Sequence, residues 1–211
     1  MTIPLPTNGT VLFTGDSITD CHRLETDVPR LGDGYVRDIA AELSVRLPGI
    51  RVLNTGISGN RVPDLEQRWD ADCLALRPDV LTILIGINDT WRRYDSDDPT
   101  SVDVFEAGYR RLLTRVRDEL GCTVALMEPF LTPISKDQDR WREDLDPKID
   151  AVRRLAQQFE TVLLPTDRVM NEAAERLGAA AVAYDGVHPT PLGHRALADT
   201  WLTQVSAVEP A

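Results

Sequence analysis

The chain has 211 residues, of which 42% are hydrophobic and 27% are charged, and its formal net charge at pH 7 is -11. This is the composition of a soluble globular protein, and no apolar run is long enough to span a bilayer, which excludes a membrane protein. The acidic balance opposes binding to nucleic acid or to an anionic membrane, so the expected partner is a neutral small molecule.

Buried strands and amphipathic helices alternate along the chain. Apolar runs predict strands over residues 10–13, 51–54, 80–85, 123–127 and 161–164. Helical spacing of apolar residues predicts helices over residues 35–47, 62–76, 102–120, 148–159, 168–177 and 191–205. Strands that are apolar throughout and alternate with helices indicate a five-stranded parallel sheet covered on both faces. The predicted fold is a three-layer α/β/α domain, and we expect residues 1–211 to form one domain.

Two connections between the predicted elements are long, over residues 20–34 and 130–147. Long connections in compact domains are often functional. The second contains Trp141 among charged residues, and it either shades a pocket as a lid or forms a solvated surface loop.

Small and polar residues follow the predicted strands, where open parallel sheets bind their ligands. Gly15-Asp16-Ser17 follows the first strand, and Asp185 and His188 follow the last. A serine hydroxyl needs an imidazole to take its proton and a third group to orient that imidazole. Ser17, His188 and Asp185 are therefore candidates for nucleophile, base and orienting acid.

Acyl transfer through a serine also needs hydrogen-bond donors for the oxyanion that forms on the attacked carbonyl. The same rim offers three of them. The candidates are the backbone N–H of Ser17, the backbone N–H of Gly59 and the side-chain amide of Asn88.

The chain resembles the SGNH hydrolase superfamily, also called GDSL-type esterases. The four blocks of that family match, in order, Gly15-Asp16-Ser17, Gly59, Gly86-x-Asn88-Asp89 and Asp185-x-x-His188. The first block continues with Ile18 where the family name has leucine, which alters packing and no catalytic group. The resemblance extends from residue 10 to about residue 200.

This resemblance implies a flavodoxin-like fold and a serine esterase that works through an acyl-enzyme with no metal or organic cofactor. It places the nucleophile on Ser17, the acid and base on Asp185 and His188, and the oxyanion donors on Ser17, Gly59 and Asn88. The implied substrate is a short-chain, first of all acetyl, ester, with an acetylated carbohydrate as the first choice. A lysophospholipase or a thioesterase of the same superfamily is the alternative.

Further residues near these blocks have two interpretations. Asp16 and Asp89 orient their loops by accepting backbone hydrogen bonds, and Asp16 is also a candidate for substrate binding. Trp91 either stacks on a sugar ring or anchors the core beneath its loop. Arg61, like Arg92 and Arg93, either binds substrate through its forked donors or lies on a solvated face.

Of the three histidines, only His188 lies in a motif that suits a general base. His194 falls inside the last predicted helix and is interpreted as a surface or packing residue. His22 follows the candidate nucleophile and either lines the substrate entrance or occupies a solvated loop.

Rival functions from other classes predict different residues. A flavodoxin-like phosphorylation receiver requires a lysine after the fifth strand, where this chain has Pro165-Thr166-Asp167. A metal-dependent phosphoesterase requires a ligand set that these spacings do not provide.

The cysteines and the N-terminus suggest a location. Cys21, Cys73 and Cys122 are widely spaced and form no C-x-x-C pair, which argues against a disulfide framework or a zinc site. The first residues lack a basic region followed by an apolar stretch. We therefore expect a cytoplasmic protein.

Overall fold

A computed structural model describes residues 2–25 and 30–207. The strands of this part are β1 (Ile3–Leu5), β2 (Asn8–Gly15), β3 (Gly49–Asn54), β4 (Val80–Leu84), β5 (Thr123–Met127), β6 (Val162–Leu164) and β7 (Val205–Ala207). The helices are α1 (Ser17–Asp20), α2 (Tyr35–Arg46), α3 (Val62–Asp72), α4 (Ile87–Asp95), α5 (Val102–Glu119), α6 (Lys136–Asp139), α7 (Arg142–Gln158), α8 (Thr166–Leu177), α9 (Ala179–Val182) and α10 (Pro191–Leu202). A short 3-10 helix, Leu74–Leu76, follows α3. No helix in these ranges is both long enough and apolar enough to cross a membrane.

Five parallel strands form the main sheet in the order β3-β2-β4-β5-β6. This confirms the predicted α/β fold with a five-stranded parallel sheet. Because all strands run in one direction, their carboxyl ends lie along one edge, where the loops after β2, β3 and β4 meet.

Alternating strand residues supply two hydrophobic cores, one on each face of the sheet. On β2, Val11 and Phe13 belong to one core, which is covered chiefly by α2, α8 and α10. Leu12 belongs to the other core, covered by α3, α5 and α7. All three residues are fully buried. Burial on both faces explains why the strands appear in the sequence as continuous apolar runs.

Close packing of β2 against β4 requires a glycine at the end of β2. A Cβ atom built on Gly15 would lie 2.1 Å from the carbonyl oxygen of Leu84 and 2.8 Å from Thr19 Oγ1. No side chain fits in that space. The glycine therefore lets the chain turn directly from β2 into α1, which begins with Ser17.

The predicted last helix over residues 191–205 is too long. It ends at Leu202, and Val205 belongs to β7, which pairs in parallel with β1 in a separate two-stranded sheet. Neither of these three-residue strands was predicted. They are too short to produce a hydrophobic period, and their pairing joins the first and last described segments of the chain.

The predicted start of the fourth long helix at residue 148 is also wrong, because α7 begins at Arg142 and contains Pro147. A proline inside a helix removes one backbone hydrogen bond. Here Leu145 is fully buried, and Arg142 donates two hydrogen bonds, of 2.7 and 2.9 Å, to the carboxylate of Asp167. These tertiary contacts outweigh the cost of the proline.

The connection before α7 is consequently shorter than the predicted 130–147 segment, and it is partly buried and partly solvated. Phe130, Leu131 and Thr132 are buried, and Trp141 is 8% exposed. The amide of Leu131 donates to Asp167 Oδ1 at 3.3 Å. Residues 130–132 are thus part of the packed body, whereas residues 134–137, 139 and 140 are exposed. The other long connection, over residues 20–34, includes residues 26–29, which lie outside the described residues.

We expect the hydroxyl of Thr82 to contribute to stability and that of Thr14 not to. Thr82, on β4, accepts a hydrogen bond of 2.9 Å from the indole Nε1 of the fully buried Trp201, whereas Thr14 Oγ1 is buried with no partner. Thr82→Val leaves a buried donor unsatisfied, which should lower the free energy of unfolding by about 1–3 kcal/mol. Thr14→Val is the matched control and should not lower it, because it replaces a buried hydroxyl that has no partner by a methyl group of similar size. Urea denaturation measures both free energies of unfolding, and equal losses in Thr82→Val and Thr14→Val would contradict this assignment.

Candidate active site

Three side chains from the two ends of the chain form a continuous hydrogen-bonded series. Ser17 Oγ lies 2.9 Å from His188 Nε2, and His188 Nδ1 lies 2.7 Å from Asp185 Oδ2. The structure thus brings together the serine, the histidine and the aspartate that the motifs suggested. If Asp185 is ionised, it accepts the Nδ1 proton, which leaves Nε2 as a lone-pair acceptor facing the serine hydroxyl.

The position of Ser17 follows from the turn between β2 and α1. Asp16 is the N-cap of α1, and its Oδ1 accepts a hydrogen bond of 3.0 Å from the amide of Ile18. Ser17 is the first residue of the helix, so its own amide is one of the initial N–H groups that have no acceptor within the helix. The hydroxyl and the amide of the same residue thereby stand at the carboxyl edge of the sheet.

The turn from Asp185 to His188 holds the carboxylate through its own backbone. Asp185 Oδ1 accepts hydrogen bonds from the amides of Val187 at 3.0 Å and His188 at 2.8 Å. Partial burial opposes ionisation, but these two bonds and the contact with the His188 ring outweigh it and lower the pKa of Asp185. The carboxylate is consequently ionised at neutral pH.

Two further hydrogen-bond donors lie in neighbouring loops. Gly59 follows β3 with a φ of +82°, a backbone conformation that favours glycine, and its amide donates to no residue of the described ranges. Asn88, in the first turn of α4, is 3% exposed, and its Nδ2 donates to the carbonyl of Asn60 at 3.1 Å. That bond ties the start of α4 to the Gly59 loop and leaves a second N–H on the same nitrogen.

Sequence reasoning missed the residues that hold the Gly59 loop. Arg68 of α3 donates to the carbonyl of Gly15 at 3.1 Å, to the carbonyl of Thr55 at 2.6 Å and to Asn60 Oδ1 at 2.8 Å. Inside a predicted helix, an arginine gives no sequence signal of such a role. It joins the end of β2 to the loop after β3.

Asn54, the last residue of β3, fixes the same loop from the other side. Its Nδ2 donates to the carbonyl of Thr19 at 2.6 Å, and its Oδ1 accepts from the amide of Gly56 at 2.8 Å. A polar residue at the end of an apolar strand is a usable sequence signal for such a role.

A cavity of about 620 Å³ opens beside Ser17 and His188. The exposed side chains of Leu24 and Tyr184 line it, together with three carboxylates, Asp20, Glu25 and Asp33, and no arginine or lysine does so among the described residues. A second cavity, of about 580 Å³, lies at the opposite ends of β5 and β6, and none of the predicted site residues lines it.

The three candidate substrate-binding residues occupy different positions. Trp91 is half-buried, with its ring centroid 5.8 Å from that of His188 and 5.4 Å from that of Trp141, so it borders the site. Arg61 forms an ion pair of 3.0 Å with Asp98. Asp16 is fully buried, and its Oδ1 accepts the hydrogen bond from Ile18 that caps α1. Substrate binding by these three residues stays a prediction.

Of the other two histidines, His194 is packed and His22 is exposed, and both line the cavity. His194 Nδ1 accepts a hydrogen bond of 3.2 Å from the amide of Tyr35, and its Nε2 lies 3.5 Å from Cys21 Sγ. Burial lowers the pKa of His194 to about 4, so the ring is neutral at neutral pH. The packing interpretation of His194 is confirmed.

Two carboxyl groups are buried next to the site residues. Asp16 precedes Ser17, Asp89 follows Asn88, and one oxygen of each has no hydrogen-bond partner. Burial raises the pKa of both to about 7, against the opposing effect of the hydrogen bonds from the amides of Ile18 and Val62. No group of three or more potential metal ligands occurs in residues 2–25 and 30–207.

Comparisons with known proteins agree with this arrangement. The sequence model of the GDSL-like lipase/acylhydrolase family matches residues 13–196. An acetylxylan esterase from Geobacillus stearothermophilus is 38% identical over 205 residues, which is 92% of this chain and 93% of that protein. A protein from Parabacteroides merdae assigned as a GDSL-like lipase has a solved structure with a TM-score of 0.90, 33% identity, and coverage of 97% of this chain and 98% of that one.

Three solved catalytic mutants of an acetylxylan esterase, Axe2 from Geobacillus stearothermophilus, are also similar. They have TM-scores of 0.87, 36% identity and coverage of 95% of both chains. Their substitutions replace a serine, an aspartate and a histidine by alanine.

The buried carboxyls should make stability depend on pH. In the unfolded chain an aspartate titrates at its usual value of 3.8, so between that pH and about 7 the folded state holds protons that the unfolded state has released. This stabilisation is complete below pH 3.8 and is lost as the pH rises through 7. Asn is neutral at every pH. The measured quantity is the unfolding free energy of Asp16→Asn minus that of the wild type. This difference should be more positive at about pH 8 than at about pH 5, by about 1 kcal/mol or more.

The same comparison applies to Asp89→Asn, with the exposed Asp103→Asn as the control for the loss of one negative charge. Urea denaturation at the two pH values measures all three differences. If the difference for Asp16→Asn is the same at both, its carboxyl does not titrate with a raised pKa.

Proposed function

As a member of the GDSL-like lipase/acylhydrolase family, this chain is a serine esterase, and we propose that it removes acetyl groups from a neutral carbohydrate with Ser17 as its nucleophile. The observation that carries the proposal is the series in which Ser17 Oγ, His188 Nε2 and Asp185 are joined by contacts of 2.9 and 2.7 Å. The catalytic mutants of the similar acetylxylan esterase, which replace the same three residue types, support these roles.

In the first step, His188 Nε2 takes the hydroxyl proton of Ser17 as Oγ attacks the acetyl carbonyl. The ring becomes positively charged, and the ionised Asp185 stabilises that charge through Nδ1. A tetrahedral intermediate forms, with a negative charge on the former carbonyl oxygen.

The oxyanion needs donors that are already in place when the charge develops. The amides of Ser17 and Gly59 and the second N–H of Asn88 serve as these donors in the proposed mechanism. The contacts of Asn88 with Asn60, and of Arg68 with Asn60 and Gly15, make the donor set rigid before substrate arrives. Each such donor typically contributes about 10²–10³ in rate.

Collapse of the intermediate breaks the bond to the sugar oxygen, which leaves as an alcohol with the proton from His188. The acetyl group then remains on Ser17 Oγ. Water gives a proton to His188 and attacks this acyl-enzyme, and a second oxyanion forms at the same donors. The bond between Oγ and the acetyl carbon then breaks, Oγ takes the proton back from His188, and acetic acid leaves.

The cavity beside the nucleophile favours an uncharged substrate. Its described lining includes Asp20, Glu25 and Asp33 but no arginine or lysine. Asp20 forms an ion pair of 3.6 Å with Arg23, and Asp33 forms one with Arg37. The described lining thus offers no arginine or lysine to pair with the phosphate groups of an acyl carrier or of a lysophospholipid. The thioesterase and lysophospholipase alternatives are therefore less well supported than a sugar ester. Acetylated xylo-oligosaccharides are the first candidates, since the similar curated protein is an acetylxylan esterase.

An aromatic side chain at the cavity entrance fits the same class of substrate. Tyr184 is 66% exposed and lines the cavity one residue before Asp185. An exposed aromatic ring offers a flat apolar face on which the C–H face of a pyranose can pack. We assign this contact to Tyr184 and propose it as a substrate-binding residue.

Ser17→Ala should abolish hydrolysis of a nitrophenyl acetate, with kcat falling by at least about 10⁴-fold, because no other side chain stands in place of the nucleophile. Asn88→Ala should lower kcat by about 10²–10³-fold. The control is Ser58→Ala, since Ser58 lines the same cavity but its hydroxyl is not bonded to His188. Wild-type turnover in Ser17→Ala, or labelling of another residue by a fluorophosphonate, would refute the assignment.

Tyr184→Ala should raise KM for an acetylated xylo-oligosaccharide about 5-fold or more, as expected for the loss of a contact of about 1 kcal/mol. Tyr184→Phe keeps the ring and should retain the wild-type KM. With nitrophenyl acetate, which has no sugar, both variants should keep kcat/KM within about 2-fold. An equal loss on both substrates, or no loss on either, would remove Tyr184 from sugar binding.

A further inference from the structure

The turn that carries the proposed acid and base contains one glycine at its centre. Gly186 has a φ of +87°, and the two peptide groups beside it are those most easily rotated, because glycine lacks a Cβ. One of these peptide groups includes the carbonyl of Asp185. The other includes the carbonyl of Gly186 and the amide of Val187, which donates to Asp185 Oδ1 at 3.0 Å. Rotation of either group would change the orientation of the Asp185 carboxylate.

Both peptide groups are held from outside the turn, by the segment between β5 and α7. Gln138 Nε2 donates to the carbonyl of Asp185 at 2.6 Å. The amide of Thr132 donates to the carbonyl of Gly186 at 2.9 Å, and Thr132 Oγ1 lies 3.3 Å from the same oxygen. A Cβ on Gly186 would lie 2.7 Å from Gln138 Oε1 and 3.0 Å from the carbonyl oxygen of Thr132, so the two segments are in close contact.

The amide group of Gln138 is itself fixed in orientation. Its Oε1 accepts a hydrogen bond of 2.9 Å from the amide of Ile134, and only an oxygen can accept that proton. Nε2 is consequently the atom that faces Asp185. The backbone amide of Gln138 donates to the N-cap Ser135 at 3.4 Å, which keeps the residue in the short helix α6.

The segment that carries Gln138 is anchored to the body of the protein. Leu131 donates through its amide to Asp167 Oδ1 at 3.3 Å, and its carbonyl accepts from Asn171 Nδ2 at 3.1 Å. Asp167 also receives the two hydrogen bonds from Arg142. The support of the turn therefore extends back to α7 and α8.

We propose that Gln138 is a positioning residue for the esterase reaction: its hydrogen bond to the Asp185 carbonyl keeps the carboxylate aligned with His188 Nδ1. This inference rests on the proposed roles of Ser17, His188 and Asp185. Gln138 touches neither the substrate nor the reacting atoms, and it acts through the peptide group that it holds.

The test compares Gln138→Met, which removes both side-chain hydrogen bonds, with Gln138→Glu, which keeps an acceptor for Ile134 but replaces the donor to Asp185 by an oxygen. Both should lower kcat for nitrophenyl acetate by about 10- to 100-fold, since misplacement of a catalytic group by about 1 Å costs about 10²-fold. KM should stay within about 2-fold. Gln67→Met and Gln67→Glu, at an exposed position of α3, are the matched controls.

The pH profile separates positioning from a general loss of structure. In Gln138→Met the protonated His188 loses part of the carboxylate contact that stabilises its charge, so the acid limb of kcat/KM should move about half a pH unit or more toward lower pH. A reduced kcat with an unmoved acid limb would overturn the proposal. A wild-type kcat in Gln138→Glu would also overturn the proposal, because catalysis would then not need the hydrogen bond from Nε2 to the Asp185 carbonyl.

If Gln138→Met does not fold, Gln138→Glu carries the test by itself: a kcat within about 2-fold of Gln67→Glu overturns the proposal, and a fall of about 10-fold in a protein with the wild-type melting temperature supports it. Failure of the proposed function has a different signature. In that case Ser17→Ala hydrolyses the ester as the wild type does, whereas failure of this inference alone leaves Ser17→Ala inactive.

Discussion

The contact of 2.9 Å between Ser17 Oγ and His188 Nε2 depends on how the last helix packs on the sheet. His188 lies just before α10, whose N-cap is Thr190. Trp201 of that helix packs on Phe13 of β2, with ring centroids 5.4 Å apart, and donates to Thr82 of β4. These contacts anchor α10 on the strand that leads into Ser17. Residues separated by 171 positions thus meet because one helix is fixed to two adjacent strands.

Polar groups buried beneath the site make the rim rigid at a cost in stability. Asp16 and Asp89 each use one carboxyl oxygen to cap a helix next to the site and leave the other oxygen unpartnered. An unpartnered buried polar atom is unfavourable, and a buried charge is more so. The large cores on the two faces of the sheet offset this cost. Functional sites often contain such unfavourable local features. Here the buried carboxyls hold the nucleophile and the donors in place, and the cost in stability is offset elsewhere in the fold.

The fold was largely predictable because its strands are buried on both faces. The strand over residues 123–127 and the start of the helix at Tyr35 coincide with the structure, since apolar runs and helical spacing record burial directly. The error at α7 occurs where tertiary contacts override a local signal: the helix is predicted to start at residue 148, but it begins at Arg142, which pairs with Asp167. The sequence analysis also predicts no helix over Ile87–Asp95, which the structure shows as α4.

The reacting groups of the candidate site could be predicted from the sequence, but the residues that hold their loops in place could not. Ser17, Asp185 and His188 lie in short motifs whose spacing implies a shared chemistry, and folding places them in contact. Arg68 and Gln138 lie in helices, where polar side chains are common and normally solvated. Most of the groups to which they donate are backbone carbonyls, which have no sequence identity to recognise. Only the path of the folded chain shows which carbonyls they meet.

The small sheet of β1 and β7 places the first and last described segments side by side, with Ile3 opposite Val205 and Leu5 opposite Ala207. β1 comes directly before β2, which leads into Ser17, and β7 comes directly after α10, which follows His188. The pairing of these two short strands is therefore a second link, apart from the packing of Trp201, between the segment that carries the nucleophile and the segment that carries the base.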